Sequence, residues 1–129
     1  MQTGITSNKM NQSTYKFINL EYLELMADGD PEMKGVMLDM LLTELPEELS
    51  KMRTEFDQQA WEILGSTSHK LKSTLSFVGN SQMNAANKQI ESICKEGENP
   101  AQVGDMIKTM EGLVDDILLE IKDEIKNIV

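Results

Sequence analysis

The chain of 129 residues contains one cysteine and one histidine. A single cysteine, Cys94, cannot form an internal disulfide, so we expect a protein of a reducing compartment such as the cytoplasm. A zinc site needs three or four ligands, which one histidine and one distant cysteine cannot supply. The sequence therefore excludes a disulfide framework and a zinc site.

Basic residues and long apolar runs are also scarce. The chain has 12 basic and 22 acidic side chains, for a net charge of −10. Such a chain repels phosphate backbones and anionic lipid, so we expect neither nucleic-acid nor membrane-surface binding. No run of about 18 apolar residues is present, which predicts no transmembrane helix. Residues 1–14 lack the apolar core of a secretory signal and are expected to form a flexible lead-in.

No segment alternates with period two, whereas apolar residues recur at spacings of three and four, which predicts an all-α fold. The start and stop signals of five helices are Asn19 and Asp28-Gly29, then Asp30-Pro31, then Asp57 and Gly79, then Ser81, and finally Asn99-Pro100. One apolar face per long helix and short connections indicate an antiparallel four-helix bundle with a short additional N-terminal helix. We expect this single domain to span residues 15–129.

Several positions inside these helices carry expectations of their own. Pro46 predicts a kink in the second helix or a break into two pieces. Met26 and Met33 are expected to face inward, and Cys94 is expected to be a buried, inert thiol. The acidic residues of the last helix are expected to form a solvated face; they are Glu111, Asp115, Asp116, Glu120, Asp123 and Glu124.

The only imidazole, His69, lies in the third helix, within "STSHKLKSTLSFVG". The core stripe of that helix is formed by Trp61, Leu64, Ser68, Leu71, Leu75 and Val78. At about 100° per residue, His69 lies roughly 130° from the centre of this stripe and should be exposed. Gly65, Lys72, Ser73 and Ser76 share its strip. Because glycine inside a helix costs about 1 kcal/mol relative to alanine, Gly65 suggests that something approaches closely.

Other chemistries lack their residues. There is no Glu-x-x-His pair of a di-iron bundle, no nucleophile elbow and no phosphate-cradling loop. The imidazole itself remains as a nucleophile that can accept a phosphoryl group. The ammonium of Lys72 would stabilise the added negative charge.

The segment His69-Lys70-Leu71-Lys72-Ser73, with Gly79 ten places after the histidine, resembles the histidine-containing phosphotransfer (HPt) domains of bacterial two-component phosphorelays. "NLEYLELMADGDPEM", "LLTELPEELSKM" and "ICKE" also resemble that family. The resemblance implies that His69 accepts and donates the phosphoryl group, that Lys72 is its charge partner and that Gly79 is a packing or turn glycine. Ser73 departs from the family, which usually has glycine there.

The resemblance also implies the partners. They are the receiver domains of response regulators, with a sensor or hybrid histidine kinase upstream, and the magnesium ion belongs to the receiver rather than to this chain. No cofactor and no metal are expected on this chain, and we expect a monomer. The predicted docking surface consists of Leu64, Gly65, Ser68, Ser73, Ser76 and Phe77. Phe77 falls opposite the core stripe, and distortion near the helix end could equally turn it inward.

Two alternatives to a free-standing phosphocarrier stay open. One is a helical adaptor that binds receiver or kinase domains without being phosphorylated; the presence of both His69 and Lys72 argues against it. The other is a domain excised from a larger kinase. The initial Met and the polar opening residues favour a free-standing protein. In each case the chain is not expected to be an enzyme that turns over a small substrate.

Overall fold

The computed structural model describes residues 15–97 and 99–128, and these residues form five α-helices and no strand. The helices are α1 (Glu21–Ala27), α2 (Pro31–Asp57), α3 (Trp61–Val78), α4 (Ser81–Glu96) and α5 (Pro100–Ile128). The all-α prediction is therefore confirmed. The predicted lead-in, residues 1–14, lies outside the described residues.

Helices α2 to α5 form the four-helix bundle. Each packs against two neighbours, in the order α2, α3, α4, α5 and back to α2, while α1 packs against α2 and α3. The connections at 58–60, 79–80 and 97–99 are short, so consecutive helices run antiparallel. This confirms the predicted architecture, including the short N-terminal helix.

Two of the helix starts follow local capping rules. The side chain of Asp30 accepts a hydrogen bond from the backbone N–H of Glu32 at 3.0 Å, with Pro31 at the first helical position. Asn80 caps α4 by accepting from the N–H of Met83 at 2.8 Å. These caps satisfy backbone donors that the helix itself leaves unpaired.

Two predicted caps are wrong. Asp57 is the last residue of α2, and α3 starts after Ala60, whose side chain makes no capping bond. The turn is closed by the backbone instead, since the N–H of Ala60 donates to the carbonyl of Glu55 at 2.9 Å. The N-cap of α1 is Leu20, one residue later than predicted. The Asn19 side chain still accepts a hydrogen bond from the backbone N–H of Glu21.

Helix α2 runs through Pro46 as one helix, so of the two predicted outcomes, a kink or a break into two pieces, the break does not occur. Proline removes one helical hydrogen bond. Fully buried Leu45 before it and nearly buried Leu49 after it anchor both halves of α2 in the core. Burial of such a side chain contributes about 1.5–3 kcal/mol, which offsets much of the local cost.

The core lies between α2, α3, α4 and α5, and the buried face of α1 covers one side of it. Its largest fully buried side chains are Leu20, Leu23, Leu38, Leu41, Leu45, Met52, Leu64, Leu71, Leu75, Met83, Ile90 and Ile107. Met26 and Met33 are exposed, contrary to the prediction. In α1, Ala27 is buried in place of Met26, because Leu23 and Ala27 form the face that packs against α2 and α3.

Three of the acidic side chains predicted to be solvated on α5 are instead buried or half-buried and bind other elements. Glu111 makes two hydrogen bonds to the guanidinium of Arg53, at 2.8 and 3.0 Å. Glu124 is buried and lies 2.6 Å from the ammonium of Lys34. Glu120 accepts hydrogen bonds from three consecutive backbone N–H groups of residues 16–18. The sequence does not reveal these bonds because the partners are distant along the chain.

Residues 15–20, here called the N-terminal strap, precede α1 without regular secondary structure and connect α5 to the end of α3. Glu120 holds the strap on the α5 side. On the other side, the N–H of Asn19 donates to the carbonyl of Val78 at 2.9 Å, and the Asn80 side chain donates to the carbonyl of Phe17 at 2.8 Å. The strap thus fixes the C-terminal end of the helix that carries the histidine.

Candidate functional site

His69 lies midway along α3, and its side chain is 65% exposed. The residues on the opposite face of that turn, Ser68 and Leu71, are buried and hold the helix against the core. One turn further along, Lys72 is 57% exposed and Ser73 is exposed as well. The fold therefore presents the imidazole to solvent among a lysine and small side chains.

The imidazole contacts a carboxylate that the sequence analysis did not single out. Nδ1 of His69 lies 2.5 Å from Oε2 of Glu91, a half-buried residue of α4. The other carboxylate oxygen, Oε1, lies 3.4 Å from Nζ of Lys72. Glu91 therefore bridges the ring and the ammonium group.

A signal for Glu91 exists once α3 and α4 are recognised as an antiparallel pair with a tight turn at residues 79–80. His69 lies ten residues before Gly79, and Glu91 lies eleven after Asn80, so the two positions face each other across the helix pair. Periodicity within one helix cannot reveal this, because the pairing depends on the length of the turn.

The charge state of Glu91 determines which ring nitrogen is nucleophilic. The hydrogen bond from His69 lowers the pKa of Glu91, and the positive charge of Lys72 lowers it further, against the opposing effect of burial. An ionised carboxylate only accepts hydrogen bonds, so Nδ1 must carry the proton. In the neutral ring, Nε2 then holds the free lone pair. No residue in the described ranges hydrogen-bonds to Nε2.

The prediction that a partner contacts Leu64 and Ser68 at the surface is wrong. Leu64 and Ser68 are fully buried, because both lie on the core stripe of α3. The Ser68 hydroxyl is directed to Asn87 of α4, 2.9 Å from its carbonyl oxygen. A partner protein cannot touch either side chain unless the bundle opens.

The other predicted docking residues lie nearer the surface. Gly65 is half-buried, and a Cβ added to it would lie 3.0 Å from Cβ of Cys94. The close approach that this glycine allows is therefore that of α4. Ser73 and Ser76 are exposed. Phe77 is half-buried and stacks on Tyr22 of α1, with 5.4 Å between ring centroids.

An open groove of about 590 Å³ runs beside the imidazole, between α3 and α4. It is lined by Trp61, Glu62, Gly65, His69, Glu91, Cys94 and Lys95. Cys94 is only half-buried there. Burial and the charge of Glu55 raise the pKa of its thiol, which keeps it protonated and poorly nucleophilic.

Gly79 ends α3 in the left-handed region, at φ 72°. A Cβ at this position would overlap the backbone of Asn19 in the strap. The glycine thus allows both the turn into α4 and the close contact with the strap.

No cluster of three or more His, Cys, Asp or Glu side chains in residues 15–97 and 99–128 is arranged to hold a metal ion. None of the helices described there combines the length and the apolar character needed to cross a lipid bilayer.

Comparison with known proteins identifies a domain family for this chain. Residues 36–128 match the family model of the Hpt domain, and this range includes His69, Glu91 and most of the bundle. No curated protein and no solved structure matches the chain. The family match covers well over half of the sequence, and Hpt domains are helical bundles like the one described above. The chain therefore belongs to the Hpt domain family, whose members carry phosphoryl groups in two-component signalling.

Proposed function

We propose that this protein is a phosphocarrier that accepts a phosphoryl group on His69 from the aspartyl phosphate of one receiver domain and passes it to the aspartate of another. The observation that carries the proposal is the exposed imidazole of His69 with Nδ1 held by the ionised carboxylate of Glu91. This arrangement directs the lone pair of Nε2 outward, where a partner protein can reach it.

In the proposed step, the lone pair of Nε2 forms a bond to phosphorus while the bond between phosphorus and the receiver's aspartate oxygen breaks. The aspartate leaves as a carboxylate. The ring keeps its proton on Nδ1 and gains positive charge, which the carboxylate of Glu91 stabilises. Transfer to the second receiver reverses the same bond changes, so no other reactant is consumed.

Lys72 is proposed as the charge partner of the phosphoryl group. Its ammonium lies 3.4 Å from Glu91, and its side chain is 57% exposed, so it is free to move to a phosphoryl group on Nε2. Before the reaction it balances the charge of Glu91, which would otherwise repel an approaching phosphate. The metal ion and the catalytic carboxylate are proposed to belong to the receiver domain, in keeping with the exposure of His69.

The docking surface is proposed to surround His69 on α3 and to include Gly65, Ser73 and Ser76. Exposed small side chains at 73 and 76 leave room for a receiver domain to approach the ring in line with the bond that breaks. The upstream donor in such a relay is proposed to be a sensor or hybrid histidine kinase that phosphorylates the first receiver.

The test is phosphoryl transfer from a radiolabelled, phosphorylated receiver domain with magnesium to the wild type and to His69→Gln. Label that is lost in mild acid and kept in base, on the wild type alone, is expected for phosphohistidine. Because His69 is exposed, the variant should unfold like the wild type in a denaturant titration. A folded His69→Gln variant that still accepts label would contradict the proposal, and binding without transfer by the wild type would support an adaptor instead.

A further inference from the structure

The two residues that precede His69 make buried polar contacts that attach α3 to different neighbouring helices. The hydroxyl of Thr67 donates to Oε2 of Glu55 on α2, at 3.0 Å. The hydroxyl of Ser68 lies 2.9 Å from the carbonyl oxygen of Asn87 on α4 and 2.7 Å from its Oδ1. Nδ2 of Asn87 donates back to the carbonyl of Ser68 at 3.0 Å. The second contact is therefore reciprocal.

The Ser68–Asn87 pair determines how α3 and α4 align. Ser68 is 0% and Asn87 is 1% exposed, so water cannot replace the bonds between them. In each direction a side chain bonds to the backbone of the other helix. A slide or a rotation of α4 against α3 would break both bonds at once, which gives the pair a single preferred register.

The same pair is adjacent to the two site residues along their helices. Ser68 immediately precedes His69, and Asn87 lies one turn before Glu91 on α4. In an α-helix, the carbonyl of residue 87 accepts the N–H of residue 91. The carbonyl that receives the Ser68 hydroxyl therefore belongs to the turn that carries Glu91.

We infer that Asn87 is a positioning residue for phosphoryl transfer: its reciprocal bonds with Ser68 hold Glu91 against Nδ1 of His69 and so keep the lone pair on Nε2. This inference rests on the proposed function of His69. Asn87 does not touch the imidazole; it acts through Glu91. The contact of Thr67 with Glu55 attaches α3 to α2 and does not bear on this register.

The experiment compares Ser68→Ala and Asn87→Ala with Thr67→Val. The matched control also removes one buried hydrogen bond between helices, from the neighbouring residue, but towards α2. The share of the ring that carries its proton on Nδ1 is measured from the ¹⁵N shifts of the neutral ring, at about pH 9, well above the ordinary pKa of a histidine side chain. The single histidine makes the assignment unambiguous. Single-turnover transfer from a phosphorylated receiver is measured in parallel.

We expect Ser68→Ala and Asn87→Ala to lower the Nδ1–H share and to slow transfer about three- to tenfold, whereas Thr67→Val keeps both at wild-type values. If Ser68→Ala does not fold, Ser68→Cys retains a weaker donor of similar size and should show a smaller change of the same sign. A wild-type Nδ1–H share in the folded Ser68 and Asn87 variants overturns the inference, and so does an equal loss in Thr67→Val.

The two proposals fail differently. If the wild type takes up no phosphoryl group from any receiver, the proposed function is wrong. The NMR measurement does not need phosphorylation, so it still decides whether Asn87 holds Glu91 against the ring. If the wild type is phosphorylated but Ser68→Ala and Asn87→Ala transfer at the wild-type rate, only the inference about Asn87 is wrong.

Discussion

The backbone of Asn19 passes so close to Gly79 that a side chain on Gly79 would overlap it, with the added Cβ only 2.9 Å from Cβ of Asn19. The N–H of Asn19 also donates to the carbonyl of Val78, the last residue of α3. The strap and the end of the histidine helix are therefore in direct contact at Gly79, and only glycine allows this contact.

Gly79→Ala should strongly destabilise the protein. A left-handed backbone costs a non-glycine residue about 1–2 kcal/mol, and overlap in a packed region adds about 1–3 kcal/mol. We therefore expect the free energy of unfolding in urea to fall by about 3 kcal/mol. Gly97→Ala is the control, because Gly97 has φ 75° but nothing within 4 Å of an added Cβ, and it should cost about 1 kcal/mol. Equal losses in the two variants would contradict the role of the contact.

Replacement of Glu91 should separate its two contributions to transfer. Glu91→Leu removes the acceptor for Nδ1–H and the negative charge, so we expect single-turnover transfer to slow about tenfold or more. Glu91→Gln keeps an acceptor oxygen without the charge and should retain an intermediate rate. Glu62→Leu is the control, since Glu62 lines the same groove and is exposed. A wild-type rate for Glu91→Leu would show that the contact with His69 is not used.

Local signals predicted the parts of the fold that depend on neighbouring residues. Asp30 and Pro31 start α2, and Gly79 ends α3, because caps and left-handed turns are decided within a few residues. Asp57 looked equally suitable as a cap and is not one. There α2 continues, because Glu55 and Phe56 at its end pack into the bundle, and such packing is invisible to a local pattern.

At the site, too, features decided within one helix were predicted and a contact between helices was not. The helical spacing of about 100° per residue correctly predicted that His69 faces outward, because α3 is regular and its apolar stripe is clear. It also placed Leu64 and Ser68 on the core stripe, yet both were predicted as docking residues, and the structure buries them. Glu91 was missed since it comes from α4 and meets the ring only through the pairing of two helices.

A large side chain at position 73 should block transfer without unfolding the protein. Ser73 is exposed one turn after His69, so Ser73→Trp adds bulk next to the ring and leaves the core intact. We expect transfer from a receiver domain to fall at least about tenfold, because the reacting atoms can no longer approach in line. Ser50→Trp, at an exposed position on α2, is the control for bulk alone. An unchanged rate in Ser73→Trp would place the docking surface elsewhere.

The stability of the protein should decline in alkaline solution because of the contacts of Glu124. Burial and the hydrogen bond to Glu124 raise the pKa of Tyr15. For Lys34, burial acts in the opposite direction, but the hydrogen bonds to Glu124 and Glu24 outweigh it and raise the pKa. A raised pKa means that the stabilisation is complete below the unfolded-state pKa, about 10 for both groups, and is lost as the pH rises through the folded-state value.

We therefore expect the free energy of unfolding to decrease progressively above about pH 10, and Tyr15→Phe to flatten part of this decrease. Urea titrations at a series of pH values measure the slope. Tyr22→Phe is the matched control, because it removes the other phenol while the hydrogen bonds of Tyr15 and Lys34 to Glu124 remain. The slope of Tyr15→Phe should be smaller than that of Tyr22→Phe. Equal slopes in the two variants would mean that the Tyr15–Glu124 hydrogen bond does not contribute to the folded state at alkaline pH.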